Sequence, residues 1–204
     1  MLMAIEAFVF DFGNVICSFH KNLFLEKLVP YCDKSVTQLY KLIFCDTDVC
    51  TRFECGRISD DDYYKEIVKM CCLSIGKSEF FDAHTNIFTP ITETFELIKS
   101  LKSKYKLGLL SNTSELDFKR VIKPVEVFGL FDAVTLSFEV GAMKPDKKIY
   151  DDMIKKIKVQ PQKCVYIDDV KDFTDAGKSL GFNAINYQGP DKLLKELRKM
   201  KIQF

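Results

Sequence analysis

The chain has 204 residues, of which 47% are hydrophobic and 29% charged, a balance typical of one globular domain with at most a modest insertion. Its net charge of +1 excludes an overall field that would attract nucleic acid or an anionic membrane surface. No stretch approaches the roughly 18 apolar residues of a membrane span. Glu6 and Asp11 interrupt the apolar start that a signal peptide needs. We therefore expect a cytoplasmic protein without nucleic-acid or membrane partners, and its oligomeric state is left open.

The eight cysteines are concentrated in one region, with six of them between positions 32 and 72. None forms a CxxC pair, and the chain has only two histidines. A zinc site is therefore poorly supported. We expect reduced thiols, most of them buried as small apolar groups.

The first predicted element is a short strand at residues 7–10, because its four residues are all apolar and of β type. Asp11 ends it, and Gly13 and Asn14 follow as turn residues. Similar runs recur at 106–110, 133–136, 164–167 and 183–187, separated by stretches of helical periodicity. Strands that alternate with helices predict an α/β fold with a doubly wound, parallel, Rossmann-like sheet.

Residues 18–84 have a different pattern, with helical periods and few strand-like runs. We interpret this segment, here called the insert, as a small helical cap of three or four helices placed after the first strand. One helix start is clear, because Ser59 is a suitable N-cap and Asp61 and Asp62 favour the positive end of the helix dipole. The predicted core domain then comprises residues 1–17 and 85–204.

Four of the predicted strands end at a small or acidic residue. The carboxyl ends of parallel strands meet at one edge of a sheet, where ligands bind. This edge is expected to collect Asp11, Ser111, Asn112, Asp168 and Asp169. Carboxylates that converge repel one another unless a cation lies between them, and Mg²⁺ suits such a sparse oxygen site. An aspartate there could also attack phosphorus directly.

Four motifs occur in an order that resembles the haloacid dehalogenase superfamily of hydrolases, over nearly the full chain. The capped branch of that family carries its small helical cap between the first and second motifs, as the insert does here. Within that branch the chain is most similar to bacterial glucose-1-phosphate phosphatases and to the N-terminal phosphatase domain of soluble epoxide hydrolases. The four motifs are Phe10-Asp11-Phe12-Gly13-Asn14, Leu110-Ser111-Asn112, Lys144-Pro145 and Ile167-Asp168-Asp169.

The resemblance implies a magnesium-dependent phosphatase that acts on a small phosphorylated metabolite, such as a sugar phosphate, through an aspartyl-phosphate intermediate. Asp11 would be the nucleophile and a metal ligand, and the carbonyl of Gly13 a second ligand. Asp169 would bind Mg²⁺ directly or through water, with Asp168 supporting it.

The remaining implied roles concern the phosphoryl group. Ser111 and the backbone around Asn112 would donate hydrogen bonds to its oxygens. Lys144 would bridge the nucleophile and the phosphate. The catalytic residues implied in this way are Asp11, Ser111 and Lys144.

Gly13 is a departure from the family pattern. Most family phosphatases have a second aspartate there, which serves as general acid and base, a contribution of typically about 10²–10⁴-fold. The glycine favours substrates with a good leaving group, such as sugar-1-phosphates, aryl phosphates or acyl phosphates. Asn14, Asp168 or a water molecule could replace the missing acid.

A second departure lies after the fourth motif, where the family often has Asn or Asp and this chain has Phe173. Asp172 could substitute for it or could be solvated, and the sequence does not decide between the two. His20 is more consistent with a structural or solvated role than with substrate contact.

Three other functions remain open. A dehalogenase that acts on carbon also lacks the second aspartate, but it needs no metal, so the pair Asp168-Asp169 argues against it. A phosphomutase depends on the acid–base residue that Gly13 replaces. A non-catalytic, phosphate-binding regulator would keep the fold without turnover.

Overall fold

The computed structural model describes residues 4–204 and has a parallel sheet at its centre. The strands, in chain order, are β1 Ala7–Phe10, β2 Cys17–Phe19, β3 Phe88–Pro90, β4 Lys106–Ser111, β5 Ala133–Leu136, β6 Cys164–Asp168 and β7 Asn183–Asn186. Five of them form the sheet in the order β5-β4-β1-β6-β7, and every neighbouring pair is parallel. The predicted parallel sheet is confirmed.

Helices connect these strands. They are α1 Lys21–Leu28, α2 Val36–Tyr40, α3 Val49–Glu54, α4 Asp60–Cys71, α5 Lys77–Thr85, α6 Thr92–Lys102, α7 Glu115–Asp117, α8 Ser137–Val140, α9 Lys147–Ile157, α10 Lys171–Ser179 and α11 Pro190–Lys199. Short 3₁₀ turns lie at Val29–Tyr31, Phe128–Leu130 and Pro161–Lys163, and π-helical turns at Lys41–Cys45 and Phe118–Ile122. Within residues 4–204, no helix combines the length and the apolar character required to cross a bilayer.

Strand β1 is buried on both faces because its side chains alternate between two hydrophobic layers. Phe8 and Phe10 pack in one layer, with side chains of α6 and α11. Ala7 and Val9 pack in the other, with side chains of α9. Helices therefore cover both faces, which confirms the doubly wound α/β fold.

The insert contains the five helices α1 to α5, more than the three or four predicted. Helices α2 and α3 have only five and six residues, too few for a hydrophobic period to identify them. The predicted start of α4 is confirmed, because Ser59 Oγ accepts a hydrogen bond from the N–H of Asp62 at 3.1 Å. The insert helices enclose a separate hydrophobic cluster that includes Phe24, Ile43 and Phe80.

Two short strands join the insert to the sheet. β2 pairs with β3 in antiparallel register, Cys17 opposite Pro90 and Phe19 opposite Phe88. The sequence analysis did not predict this pair, because three-residue strands carry no recognisable alternation. The ladder brings the two ends of the insert together beside the end of β1.

All eight cysteines are free thiols. Four of them are buried, two are partly buried and two are exposed. The expectation that most are buried is therefore right for half of the set. Cys45 and Cys72 are the exposed pair, and both lie on the insert.

The turn after α3 lies against α8 of the sheet domain. Gly56 adopts φ +66°, and a Cβ atom there would lie 2.5 Å from the carbonyl oxygen of Phe138. The hydroxyl of Ser137 also donates a hydrogen bond to the carbonyl oxygen of Glu54 at 2.6 Å. Only glycine allows this approach of two backbones, since it has no Cβ atom.

We expect Gly56→Ala to lower the free energy of unfolding by about 2 kcal/mol or more, because a left-handed conformation costs alanine about 1–2 kcal/mol. The new methyl group would also overlap the Phe138 backbone. Thermal unfolding should show Tm lower by about 4–8 °C in a protein of this size. Gly129→Ala is the matched control, because Gly129 is exposed and its added Cβ would meet no atom within 4 Å. Equal Tm values for the two variants would contradict the proposed constraint.

Candidate active site

The sheet positions the candidate site at the carboxyl ends of its central strands. β1 lies between β4 and β6. The chain continues from β1 to β4 and β5 on one side and then crosses back to β6 on the other. Asp11 follows β1, Ser111 ends β4 and Asp168 ends β6. Neighbouring strands are about 4.8 Å apart, so the three side chains converge, as the sequence predicted.

Lys144 reaches this edge from the segment before α9. Its side chain is 1% exposed, and its Nζ donates hydrogen bonds to Asp11 Oδ1 at 2.7 Å and to Asp168 Oδ2 at 2.6 Å. A third bond, of 3.2 Å, goes to the carbonyl oxygen of Leu110. The ammonium group is thus held between the two buried carboxylates.

Asn112 holds Lys144 in place. Its amide nitrogen donates to the Lys144 carbonyl oxygen at 3.2 Å, and its amide oxygen accepts from the Lys144 backbone N–H at 2.8 Å. The sequence analysis assigned Asn112 to phosphate binding through its backbone. The structure adds a positioning role for the Asn112 side chain. No sequence pattern indicated this role, because Asn112 and Lys144 are 32 residues apart.

Asp168 is fully enclosed by donors. Besides Lys144, Tyr166 donates its hydroxyl hydrogen to Oδ2 at 2.5 Å, and the N–H of Val170 donates to Oδ1 at 2.9 Å. Asp169 is partly exposed, and its Oδ2 accepts from the side-chain amide of Asn14 at 3.0 Å. The adjacent acids therefore differ, since Asp168 is buried and binds Lys144, whereas Asp169 is partly exposed and binds Asn14.

The acidic group has the composition of a magnesium site. One carboxylate oxygen each from Asp11, Asp168 and Asp169 lies within 4.8 Å of the others. Burial raises the pKa of Asp11 to about 7, with Lys144 opposing the rise and the other two carboxylates adding to it. Three carboxylates face one ammonium group, so a divalent cation would balance the charge. Oxygen donors of this kind are those that Mg²⁺ prefers.

The position of the missing acid is filled by an aromatic ring. A Cβ atom on Gly13 would lie 2.8 Å from Cε1 of Phe19. Asn14, at φ +54°, fixes this arrangement because its side-chain oxygen accepts the N–H of Phe19 at 3.1 Å. A carboxylate at position 13 would require Phe19 to move.

A cavity of about 100 Å³ adjoins this edge, between the sheet and the insert. Gly13, Ser111 and Asn112, at the carboxyl ends of β1 and β4, are among the residues that line it. Seven aromatic side chains line the cavity: Phe12, Phe19, Phe24, Phe44, Phe53, Tyr63 and Phe88. Phe53 and Tyr63 also belong to the hydrophobic core of the insert.

Polar groups that the sequence analysis missed lie in the same cavity. They are Lys21, Glu54, His84 and Asp117. His84 Nε2 lies 3.3 Å from the Asp117 carboxylate. This contact joins α5, which carries His84, to α7, which carries Asp117. Burial works against the proton on His84, but Asp117 outweighs it and raises the pKa of the histidine. Isolated polar residues on helices give no sequence signal of this kind.

Two other candidates lie away from the cavity. Asp172 is exposed in the first turn of α10, which favours the solvated alternative. His20 is also exposed and makes no side-chain capping bond to α1.

Phe173, in contrast, contacts the site. Its ring lies under the Lys144 ammonium group, with its centroid 5.1 Å from Nζ.

The family model for haloacid dehalogenase-like hydrolases matches residues 59–187, more than half of the chain. The chain belongs to this family. Among curated family relatives, D-ribitol-5-phosphate phosphatase of Bacteroides thetaiotaomicron is 28% identical, over 87% of this chain and 89% of its own length. Sesquiterpene phosphatase astK of Aspergillus oryzae is 22% identical, over 98% of both chains.

Solved structures share the haloacid dehalogenase fold. A HAD family enzyme of Bacteroides thetaiotaomicron, in complex with magnesium and inorganic phosphate, superposes with a TM-score of 0.81 at 21% identity, covering 91% of this chain and 95% of that one. L-2-haloacid dehalogenase of Xanthobacter autotrophicus superposes with a TM-score of 0.66 at 16% identity, covering 98% and 85%. At these identities the likeness establishes the fold alone.

Proposed function

We propose that the protein is a magnesium-dependent phosphatase that hydrolyses a small phosphorylated metabolite through an aspartyl-phosphate on Asp11. The observation that carries the proposal is the ammonium group of Lys144, buried between Asp11 and Asp168. The family membership and the phosphatase relatives on ribitol-5-phosphate, glyceraldehyde 3-phosphate and phosphorylated carbohydrates support it.

In this proposal Asp11 attacks phosphorus and takes up the phosphoryl group. Lys144 neutralises charge on the nucleophile and on the transferring group. Ser111 and the backbone at Asn112 hold the phosphoryl oxygens. Mg²⁺, held by Asp11, Asp169 and the Gly13 carbonyl, would supply further positive charge at these oxygens.

We also propose that residues 18–84 act as a cap that selects the leaving group. The insert supplies the aromatic wall of the cavity with Phe24, Phe44 and Phe53, and polar contacts with Glu54 and His84. A wall of this kind suits a compact organic group that has apolar faces and a few hydroxyls. A small organic phosphate is therefore the proposed substrate and partner.

A metal-free dehalogenase is a weaker alternative. Asp169 has no role in a metal-free attack on carbon, and its partly exposed carboxylate next to Asp11 suits a cation. The likeness to dehalogenase structures concerns the fold, which both activities share.

We expect phosphate release from 4-nitrophenyl phosphate and from a panel of sugar and polyol phosphates to require Mg²⁺. Excess chelator should lower the rate at least about 100-fold, because a bound metal contributes several kcal/mol to transition-state stabilisation. Added Mg²⁺ should restore the rate and also raise Tm, since a ligand that binds only the folded state stabilises it.

The other outcomes of this assay separate the alternatives. An unchanged rate in chelator would reject the metal-dependent phosphatase. No release from any ester, by folded protein whose Tm rises with Mg²⁺, would favour the non-catalytic regulator.

A further inference from the structure

The candidate site has no acid in the usual position, and the two side chains that could have replaced it are engaged. The Asn14 amide is bound to Asp169 and to the N–H of Phe19. Asp168 accepts hydrogen bonds from Lys144, Tyr166 and Val170. Neither side chain is free to move a proton to or from a substrate oxygen.

Two carboxyl groups among the described residues line the cavity, those of Glu54 and Asp117. Asp117 Oδ2 is occupied, because Ser114 donates its hydroxyl hydrogen to it at 2.9 Å and His84 Nε2 lies 3.3 Å away. Asp117 Oδ1 is buried and has no hydrogen-bond partner among the described residues. The ion pair with His84 keeps Asp117 in its charged form, which cannot donate a proton. Glu54 differs, since no residue in the range 4–204 donates a hydrogen bond to its carboxylate. It is partly buried and lines the same space as Gly13 and Ser111.

The backbone of Glu54 is anchored to the phosphate side of the cavity. The Ser137 hydroxyl donates to the carbonyl oxygen of Glu54 at 2.6 Å and accepts the N–H of Thr113 at 2.8 Å. One serine thus ties Glu54 to the loop that follows Ser111. The close approach at Gly56 holds the same turn against α8.

The charges around Glu54 suit proton transfer near neutral pH. Burial and the nearby Asp117 raise the pKa of Glu54 to about 7, while Lys21, His84 and Lys144 oppose the rise. Cys50 and Tyr63 are the other titratable groups that line this part of the cavity. A general acid works best when its pKa lies near the working pH.

We infer that Glu54, supplied by the insert, is the general acid and base of this site and replaces the carboxylate that Gly13 lacks. The inference rests on the proposed phosphatase function. It also gives the insert a chemical role in addition to selecting the leaving group.

The proton moves in two steps. As an oxygen of Asp11 bonds to phosphorus, the bond from phosphorus to the ester oxygen breaks, and that oxygen takes the proton of Glu54 and leaves as an alcohol. Water then attacks the phosphorus of the aspartyl-phosphate, and the Glu54 carboxylate accepts one of its protons. The bond to Asp11 breaks, phosphate leaves, and both carboxyl groups return to their starting states.

The test compares wild type with Glu54→Gln on phenyl phosphate, a poor leaving group, and 4-nitrophenyl phosphate, a good one. We expect kcat/KM for phenyl phosphate to fall about 10²–10⁴-fold in the variant, the usual contribution of general acid catalysis. With 4-nitrophenyl phosphate the first step should be largely spared. A burst of about one nitrophenolate per enzyme should precede slow turnover, because the base is missing in the second step.

A pH profile gives a second readout. Wild-type kcat/KM for phenyl phosphate should fall as pH rises above about 7, because Glu54 must be protonated to act as the acid. That descending limb should be absent in Glu54→Gln and should return, at lower activity, in Glu54→Asp. A merely structural role for Glu54 would leave the limb in place.

Glu26→Gln is the matched control, since Glu26 is exposed on α1 of the same insert. Far-UV circular dichroism and Tm must match wild type. Equal losses on both esters without a burst, or wild-type rates in Glu54→Gln, would overturn the inference and leave the phosphatase intact. So would the same leaving-group dependence in Asp117→Asn alone. Absence of turnover by wild type would instead reject the proposed function, and this inference with it.

Discussion

An Asp11→Asn variant is expected to lose phosphate release by at least about 10³-fold, because removal of a covalent nucleophile can cost about 10⁶-fold in kcat. The amide cannot form the aspartyl-phosphate, although it fills the same space. Lys144 keeps its bond to Asp168, so the fold should persist. Phosphate release from 4-nitrophenyl phosphate with Mg²⁺ measures the loss, and circular dichroism verifies the fold.

Asp172→Asn is the matched control, because Asp172 is exposed on α10. Its activity should stay within about twofold of wild type, since exposed surface substitutions away from a site have small effects. A large loss in this control would mean that Asp172 joins the site. Substantial turnover by Asp11→Asn would remove Asp11 from its proposed role.

Lys144→Met is expected to affect both stability and activity. The substitution leaves the carboxylates of Asp11 and Asp168 buried without their shared cation. Breaking a buried pair in this way costs about 3–5 kcal/mol, and Tm should fall by about 6–20 °C. Activity should fall at least about 100-fold, because charge on the transferring group is no longer neutralised.

Lys147→Met provides the comparison, three residues further along. The Lys147 side chain is 66% exposed against 1% for Lys144, and its partner Asp151 is also exposed. An exposed ion pair is worth about 0–1 kcal/mol, so Tm should hardly change. If both variants had a Tm close to that of wild type, the buried ion pairs of Lys144 with Asp11 and Asp168 would not stabilise the fold.

Lys144 and Asp11 are in contact although 133 residues separate them in the sequence. The pairing was nevertheless predictable from the sequence. Asp11, Ser111 and Asp168 each follow a short apolar run, and parallel strands must end at one edge of their sheet. The four motifs then identified the family, which implied the role of Lys144.

Other parts of the site depend on packing that local patterns do not encode. The Phe19 ring fills the space beside Gly13 only because β2 pairs with β3. The side chain of Asn112 holds the backbone of Lys144, 32 residues away. Neither contact leaves a periodic signal, since each joins single residues across distant segments.

The sequence by itself determined the sheet, the helical insert and the acidic edge, because hydrophobic period and strand-ending residues are local properties of the chain. Only the tertiary structure decided which insert side chains face that edge. Glu54 and His84 lie on short or irregularly patterned helices. Their direction follows from how the insert docks on α7 and α8, through Asp117, Ser137 and Gly56. The position of the insert on α7 and α8 depends on contacts between segments that are distant in the sequence, so local sequence patterns do not predict it.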